Sequence, residues 1–177
     1  MIRSQRNWIR PGIVMGDSPI HGRGMFAGRK IESGEVLVVW KEGYTDRAGA
    51  MEAVREGKGI MQWDEDVYSH ETDRHSEEHS INHSCDPNSW MADAYTVVAR
   101  RGIADGEEIT VDMAMFMEDE EYVSSWVCNC GAASCRGKVT GKDWRSTELQ
   151  ERYRGHFSPL INKRIRAMRS GQGGQTT

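Results

Sequence analysis

The residues with the most chemistry in this chain are its four cysteines. Cys85 stands inside the run INHSCDPN, and Cys128, Cys130 and Cys135 follow as C-x-C-x4-C. Close cysteine pairs joined by one distant ligand are how a chain supplies the four thiolates of a tetrahedral structural zinc site. Two disulfides, or four unrelated buried thiols, are the competing explanations. Cys128 and Cys130 sit too close for an easy mutual bridge, and the polar opening MIRSQRNWIRPG has no apolar signal core that would send the chain to an oxidising compartment. A reduced, cytoplasmic setting and one zinc ion are therefore expected.

The elements that must position these cysteines read as short strands and turns with few helices, a mostly β fold. Ile13 to Met15 and Val36 to Trp40 are strand-like runs bounded by glycines. Thr45 to Glu56 reads as a helix with Thr45 as its N-cap and Ala48, Met51 and Val54 on one side. Residues 64 to 79 read as a polar, His-containing loop around one short strand, Val67 to Ser69. Thr96 to Ala99 and Ile109 to Met113 read as strands joined by a tight connection. Trp144 to Tyr153 and Pro159 to Met168 read as helices, the second with Ile161, Ile165 and Met168 in one stripe. GQGGQTT at the end is expected to be disordered.

With 177 residues the chain is near the size of a single domain with a real core. No apolar run approaches the roughly 18 residues that a membrane helix needs, so no membrane partner is expected. The net charge of −4 hides an asymmetry: residues 141 to 170 carry +5, and the rest −9. A nucleic-acid module built on the basic run Lys163-Arg164-Ile165-Arg166 is disfavoured by the acidity of everything before it. A solvated helix face explains that run better. The acidic run Glu118 to Glu121 reads as a solvated loop, or as a face for a basic acceptor segment. His70, His75, His79 and His156 read as surface or loop residues.

Four segments taken in order, SPIHGRGMFAGRKIESGEVL, INHSCDPNS, VVARRGIADGEEITVD and CNCGAASCRG, resemble the SET-domain protein methyltransferases with a post-SET cysteine cluster. The resemblance implies small curved sheets with a pseudoknot made by the Asn82-His83 segment and the strand end near Asp112. It implies S-adenosyl-L-methionine in one cleft and an acceptor amine entering through a channel from the opposite face. It carries Gly22, Arg23, Gly24 and Met25 over as the cofactor loop, and Asn82 and His83 as the pair that contacts the cofactor. Cys85, Cys128, Cys130 and Cys135 then hold the zinc beside that pair. The implied organisation is a SET domain over residues 1–125 with a variable insert near 45–79. A post-SET segment follows over 126–138, then a helical extension over 139–169 and a disordered tail over 170–177. The acceptor is a lysine of a protein or peptide, or a small molecule; oligomeric state is left open.

One segment departs from the family. Where members of the family end aromatic, Asp, Tyr, this chain has Val111, Asp112 and Met113, and Trp40 falls where many members have another tyrosine. Methionine cannot donate a hydrogen bond. The lost tyrosine matters because a free lysine, with a pKa near 10.4, needs roughly 4 to 5 kcal/mol to lose its proton at neutral pH. Three readings are open. A hydroxyl from Tyr44, Tyr68 or Tyr95 lines the channel and the chain methylates an amine; the altered channel takes another nucleophile; or the chain binds cofactor without turnover. Asp112 reads as a catalytic carboxylate or as a structural one at a strand end.

Overall fold

The computed structural model describes residues 7–41, 43–71 and 77–172. Its strands are β1 (Trp8–Ile9), β2 (Ile13–Asp17), β3 (Arg23–Ala27), β4 (Val36–Val39), β5 (Tyr44–Thr45), β6 (Ile60–Asp64), β7 (Val67–His70), β8 (Asn82–His83), β9 (Ser89–Met91), β10 (Thr96–Ala99) and β11 (Glu108–Val111). Helices α1 (Arg47–Arg55), α2 (Thr147–Arg152) and α3 (Pro159–Gln172) and three 3-10 turns complete it. The fold is mostly β, as expected. Three small sheets have the orders β1-β4-β10-β9, β2-β3-β11-β8 and β5-β7-β6.

Strands of this length cannot bury much alone, so their inner faces share one core. Met25, Ile31, Leu37, Val38, Met91, Val97, Ile103 and Ile109 are each 1% exposed or less. Full burial of such a side chain is worth about 1.5 to 3 kcal/mol. Trp144, Leu149, Tyr153, Phe157, Ile161 and Ile165 continue the same core, so α2 and α3 belong to it. The parallel pairing of β8 with β11, Asn82 with Thr110 and His83 with Val111, draws the Asn-His segment against the strand end at Asp112.

Several local expectations are corrected. Helix α1 starts one residue later than the sequence suggests: Thr45 ends β5 opposite Tyr68, and Asp46 is the cap, its carboxylate accepting from Gly49 N at 2.9 Å. The strand expected at Val67 to Ser69 is β7, and the sequence reading missed its partner β6, in which Met61 and Trp63 alternate inward. The strand read as running to Met113 stops at Val111, where Asp112 caps the 3-10 turn Met113–Met115. Ala99 and Ile109 lie in different sheets, so the connection between β10 and β11 is no hairpin. The helix expected over 144–153 is broken at Ser146, whose extended ψ of 125° separates the turn Asp143–Arg145 from α2. Helix α3 runs on to Gln172, and the rest of the expected disordered tail lies outside the described residues.

The charge asymmetry is spent inside the molecule. Lys163 on α3 meets Asp64 of β6 at 2.7 Å, Arg164 donates to the Glu118 carbonyl, and Arg169 reaches Gln150 and Glu151. The acidic run is likewise occupied: Glu120 pairs with Arg145 at 2.6 Å, and Asp119 caps Glu121 N. Neither run is left as a free single-sign face. Among the described residues no helix is long and apolar enough to cross a membrane.

Candidate active site

The four cysteines come together although Cys85 is more than forty residues from the others. Their sulfur atoms all lie within 4.8 Å of one another, and none is in a disulfide. Zinc–sulfur bonds of about 2.3 Å in a tetrahedron put sulfurs about 3.8 Å apart, so the set fits one zinc. Backbone donors already aim at the sulfurs, Arg136 N at Cys85 and Cys85 N at Cys130, at 3.3 and 3.4 Å. Burial pushes the Cys85 thiol up, an energetic cost to its thiolate that a cation would relieve. Burial acts the same way on Cys130, but the N–H groups of Cys85 and Ala132 outweigh it and lower that thiol to about 7.

His83 joins this cluster to the strand end. Burial pushes its pKa below the usual histidine value against the opposing pull of Asp112, so the ring is neutral at neutral pH. Its Nδ1 accepts from Met113 N at 3.3 Å, which leaves the proton on Nε2, 3.3 Å from Cys85 Sγ. The 3.6 Å approach of Nδ1 to Asp112 is therefore proximity and not an ion pair.

Asp112 is wholly buried and fully engaged. Arg136 grips it with both terminal nitrogens at 2.7 and 2.8 Å, Tyr153 donates its hydroxyl at 3.0 Å, and Ala114 N donates at 2.9 Å. Burial works against the charge of Arg136, but the Asp112 carboxylate keeps it firmly protonated. A carboxylate with these partners is bound at both oxygens and anchors the strand end. Sequence reasoning missed both partners. Arg136 lies inside the quoted run CNCGAASCRG, where the cysteines absorbed the reading; Tyr153 carries no motif at all.

The glycine loop has a different logic at each glycine. Gly22 has φ +49°, and an added Cβ there would meet open space, so its surroundings leave room for a ligand. Gly24 was expected to make way for the cofactor; an added Cβ would also come within 2.3 Å of the Glu108 carboxylate. That carboxylate accepts from Ser18 Oγ at 2.8 Å and Asn82 Nδ2 at 2.8 Å, and Asn82 also donates to the carbonyls of His21 and Arg23. Asn82 thus staples the loop, with Arg23 exposed at its tip. The Met25 side chain is 0% exposed in the core, so only its backbone belongs to the loop. Trp126, also missed, leans over this region with its ring centroid 6.1 Å from His83 and 6.5 Å from His21.

On the other side of Met113 lies a cavity of about 340 Å³. Ile81, Val111 and Met113 line one side, and Trp40, Tyr44, Trp63 and Phe116 line the other. Those rings pack as one wall, with centroids 5.6 to 6.5 Å apart. Of the three tyrosines proposed to supply a hydroxyl, only Tyr44 lines this cavity, and its Oη is buried without a hydrogen-bond partner. Tyr95 lines the neighbouring outer groove and packs edge-on against Tyr44 at 4.6 Å. Tyr68 is buried in β7 away from both. His70 and His79, expected to be plain surface residues, line the cavity with Glu71. His156 stacks on Trp90 at 3.5 Å, and His75 lies outside the described residues.

Comparison with known proteins accounts for this arrangement. The SET domain family matches residues 22–113, just over half of the chain. The chain is 33% identical over 135 residues to human histone-lysine N-methyltransferase 2B, an alignment covering 67% of this chain. It is 30% identical over 138 residues to histone-lysine N-methyltransferase trithorax of Drosophila virilis, again covering 67% of it. It is 28% identical over 166 residues, 85% of its length, to histone H3-lysine(4) N-trimethyltransferase ATX1 of Arabidopsis thaliana. The chain spans only 5%, 3% and 15% of those three proteins. It belongs to the SET domain family.

Proposed function

We propose that this SET-family chain is an S-adenosylmethionine-dependent protein methyltransferase whose acceptor is a lysine side chain. The observation that carries the reading is the meeting at Met113 of two regions. One is the surface carried by the Gly22 loop, Asn82, His83 and Trp126; the other is the cavity walled by Val111, Met113 and the aromatic rings. S-adenosylmethionine, when bound, supplies an electrophilic methyl group on a sulfonium. The protein's tasks are then alignment, exclusion of water and removal of the ammonium proton. Ile81, Val111, Met113 and the ring wall line most of a cavity of about 340 Å³ with apolar surface, and desolvation against that surface lowers the amine pKa. Residues 1–125 are taken as the catalytic domain and 126–138 as the zinc segment. Zinc held by Cys85, Cys128, Cys130 and Cys135 fixes His83 and, through Arg136, the strand end.

The histone substrates in the relatives' names suggest basic protein segments as acceptors for this chain. Calorimetric titration with S-adenosylhomocysteine, followed by incubation with methyl-labelled S-adenosylmethionine and core histones, tests the reading. Binding followed by protein labelling supports it, and absence of binding sinks it. A second reading, transfer to a small-molecule nucleophile, draws on one observation: no tyrosine hydroxyl reaches the cavity in a form ready to take or give a proton. It predicts cofactor turnover with metabolite extracts and none with protein.

A further inference from the structure

The C-terminal extension does more than complete the core. Lying beyond the four segments that the family resemblance covers, its side chains reach both the Cys85 carbonyl and the strand end. Arg152 Nη1 donates to the Cys85 carbonyl at 2.9 Å, and Tyr153 Oη donates to Asp112 at 3.0 Å with the same Cys85 carbonyl 3.5 Å away. Asp143 binds Arg136 Nε at 2.9 Å, so the guanidinium that grips Asp112 is itself held by the extension. Ser158 N closes the far end of the turn by donating to Met115 O at 2.7 Å. Both ends of the three-residue turn that carries Met113 are therefore bonded to residues beyond 139.

We propose that Tyr153 is a positioning residue for the acceptor cavity: through Asp112 it sets where Met113 stands between His83 and the cavity. The physical reason is the sharing of one carboxylate. Asp112 uses one oxygen for Ala114 N, which starts the Met113 turn, and its other oxygen receives the Tyr153 hydroxyl; Arg136 bridges both. Removing the Tyr153 donor leaves the carboxylate buried with the Arg136 fork as its remaining side-chain partner. The carboxylate is then free to rotate toward that fork, and the N–H of Ala114 and the turn it starts follow. The phenol ring itself stays packed on Phe157 at 6.1 Å, so the Phe variant keeps the core. The functional consequence rests on the methyl-transfer reading above, but the positional claim does not.

The test uses the full chain with ¹³C-methyl-labelled methionine, the Met113 resonance being assigned by its loss in Met113→Leu. Tyr153→Phe is compared with Leu160→Ala, a substitution on the buried side of α3 that touches neither Asp112 nor Cys85. The expected result is a Met113 resonance that moves or broadens in Tyr153→Phe and stays in place in Leu160→Ala, with zinc content unchanged in both. With core histones as acceptor, kcat/KM falls about tenfold in Tyr153→Phe while S-adenosylhomocysteine affinity changes less than threefold. A Met113 resonance unmoved in Tyr153→Phe, or moved equally in Leu160→Ala, overturns the proposal. Should Tyr153→Phe fail to fold, Arg152→Met, which loses the bond to the Cys85 carbonyl, the exposed pair with Glu148 and the cation over the Tyr153 ring, carries the same prediction with a smaller movement. If S-adenosylhomocysteine moves no resonance of the unaltered protein, the methyltransferase reading fails while the comparison of variants still stands.

Discussion

The two sides of Met113 are built on opposite principles. Behind it, around Asp112, His83 and the cysteines, the polar groups have partners: a buried carboxylate with four donors, a neutral histidine with a defined tautomer, sulfurs met by backbone N–H groups. In front of it, the wall of rings contains a buried hydroxyl with no partner, and the cavity is lined in part by Trp40, Val111 and Met113, where the sequence departs from the family resemblance. On the function proposed above, the polar framework orients the sulfonium donor and the ring wall meets the acceptor. Satisfied buried polar groups resist change because removing one strands another, whereas apolar walls tolerate exchange of similar volumes.

The contrast can be broken most severely on the satisfied side. Replacing Cys85 by Ser, or stripping metal with a chelator, is expected to abolish the cooperative thermal transition, because binding energy at a structural zinc site, on the order of 10 kcal/mol, is folding energy. Circular-dichroism melts with and without added zinc check this. Asp112→Asn removes the buried one of the two carboxylates that Arg136 meets, leaving Asp143, and should cost about 3 kcal/mol in urea unfolding. Gly24→Ala drives a methyl group into the Glu108 carboxylate, so the bonds from Ser18 and Asn82 must give. A loss of about 1 to 3 kcal/mol and weaker S-adenosylhomocysteine binding are expected.

The ring-wall side should respond weakly and in the other direction. Tyr44→Phe removes an unpartnered hydroxyl and should leave stability unchanged or raise it by up to about 1 kcal/mol, while Tyr153→Phe, the same chemical change behind Met113, should lower it. If both substitutions have the same sign, the contrast between the two sides is lost. Glu118 offers a pH test near the wall. Burial raises its carboxyl pKa above the ordinary 4.5. The folded state therefore holds that proton more tightly than the unfolded chain does, and stability is lost as pH rises from 4.5 through the raised value. Glu118→Gln should then be stabilising by about 1 kcal/mol or less at pH 7, with the gain vanishing below pH 4.

What could be read from the sequence follows the same division. The cysteine spacing, the glycine loop and the Asn-His pair are local patterns, and the structure brings them together as expected. The partners of Asp112 were invisible because they lie 24 and 41 residues further on and carry no periodicity. The second reason for Gly24, the close approach of Glu108, could not be read, since Glu108 reaches it only across the β3–β11 pairing. Strand β6 was hidden by the acidic residues around it; Trp63 is buried there because Phe116 and Trp40 cover it. Choosing among Tyr44, Tyr68 and Tyr95 required knowing which sheet face each occupies, and a two-residue strand such as β5 gives no alternation from which to read it.

The central claim is that the polar framework delivers a methyl group to a lysine that meets the ring wall. Amino-acid analysis of core histones after incubation with methyl-tritiated S-adenosylmethionine tests it most directly. The account predicts radioactivity eluting with methylated lysine, lost when Asp112→Asn replaces the unaltered protein. Cofactor binding with no label in any lysine fraction would contradict it.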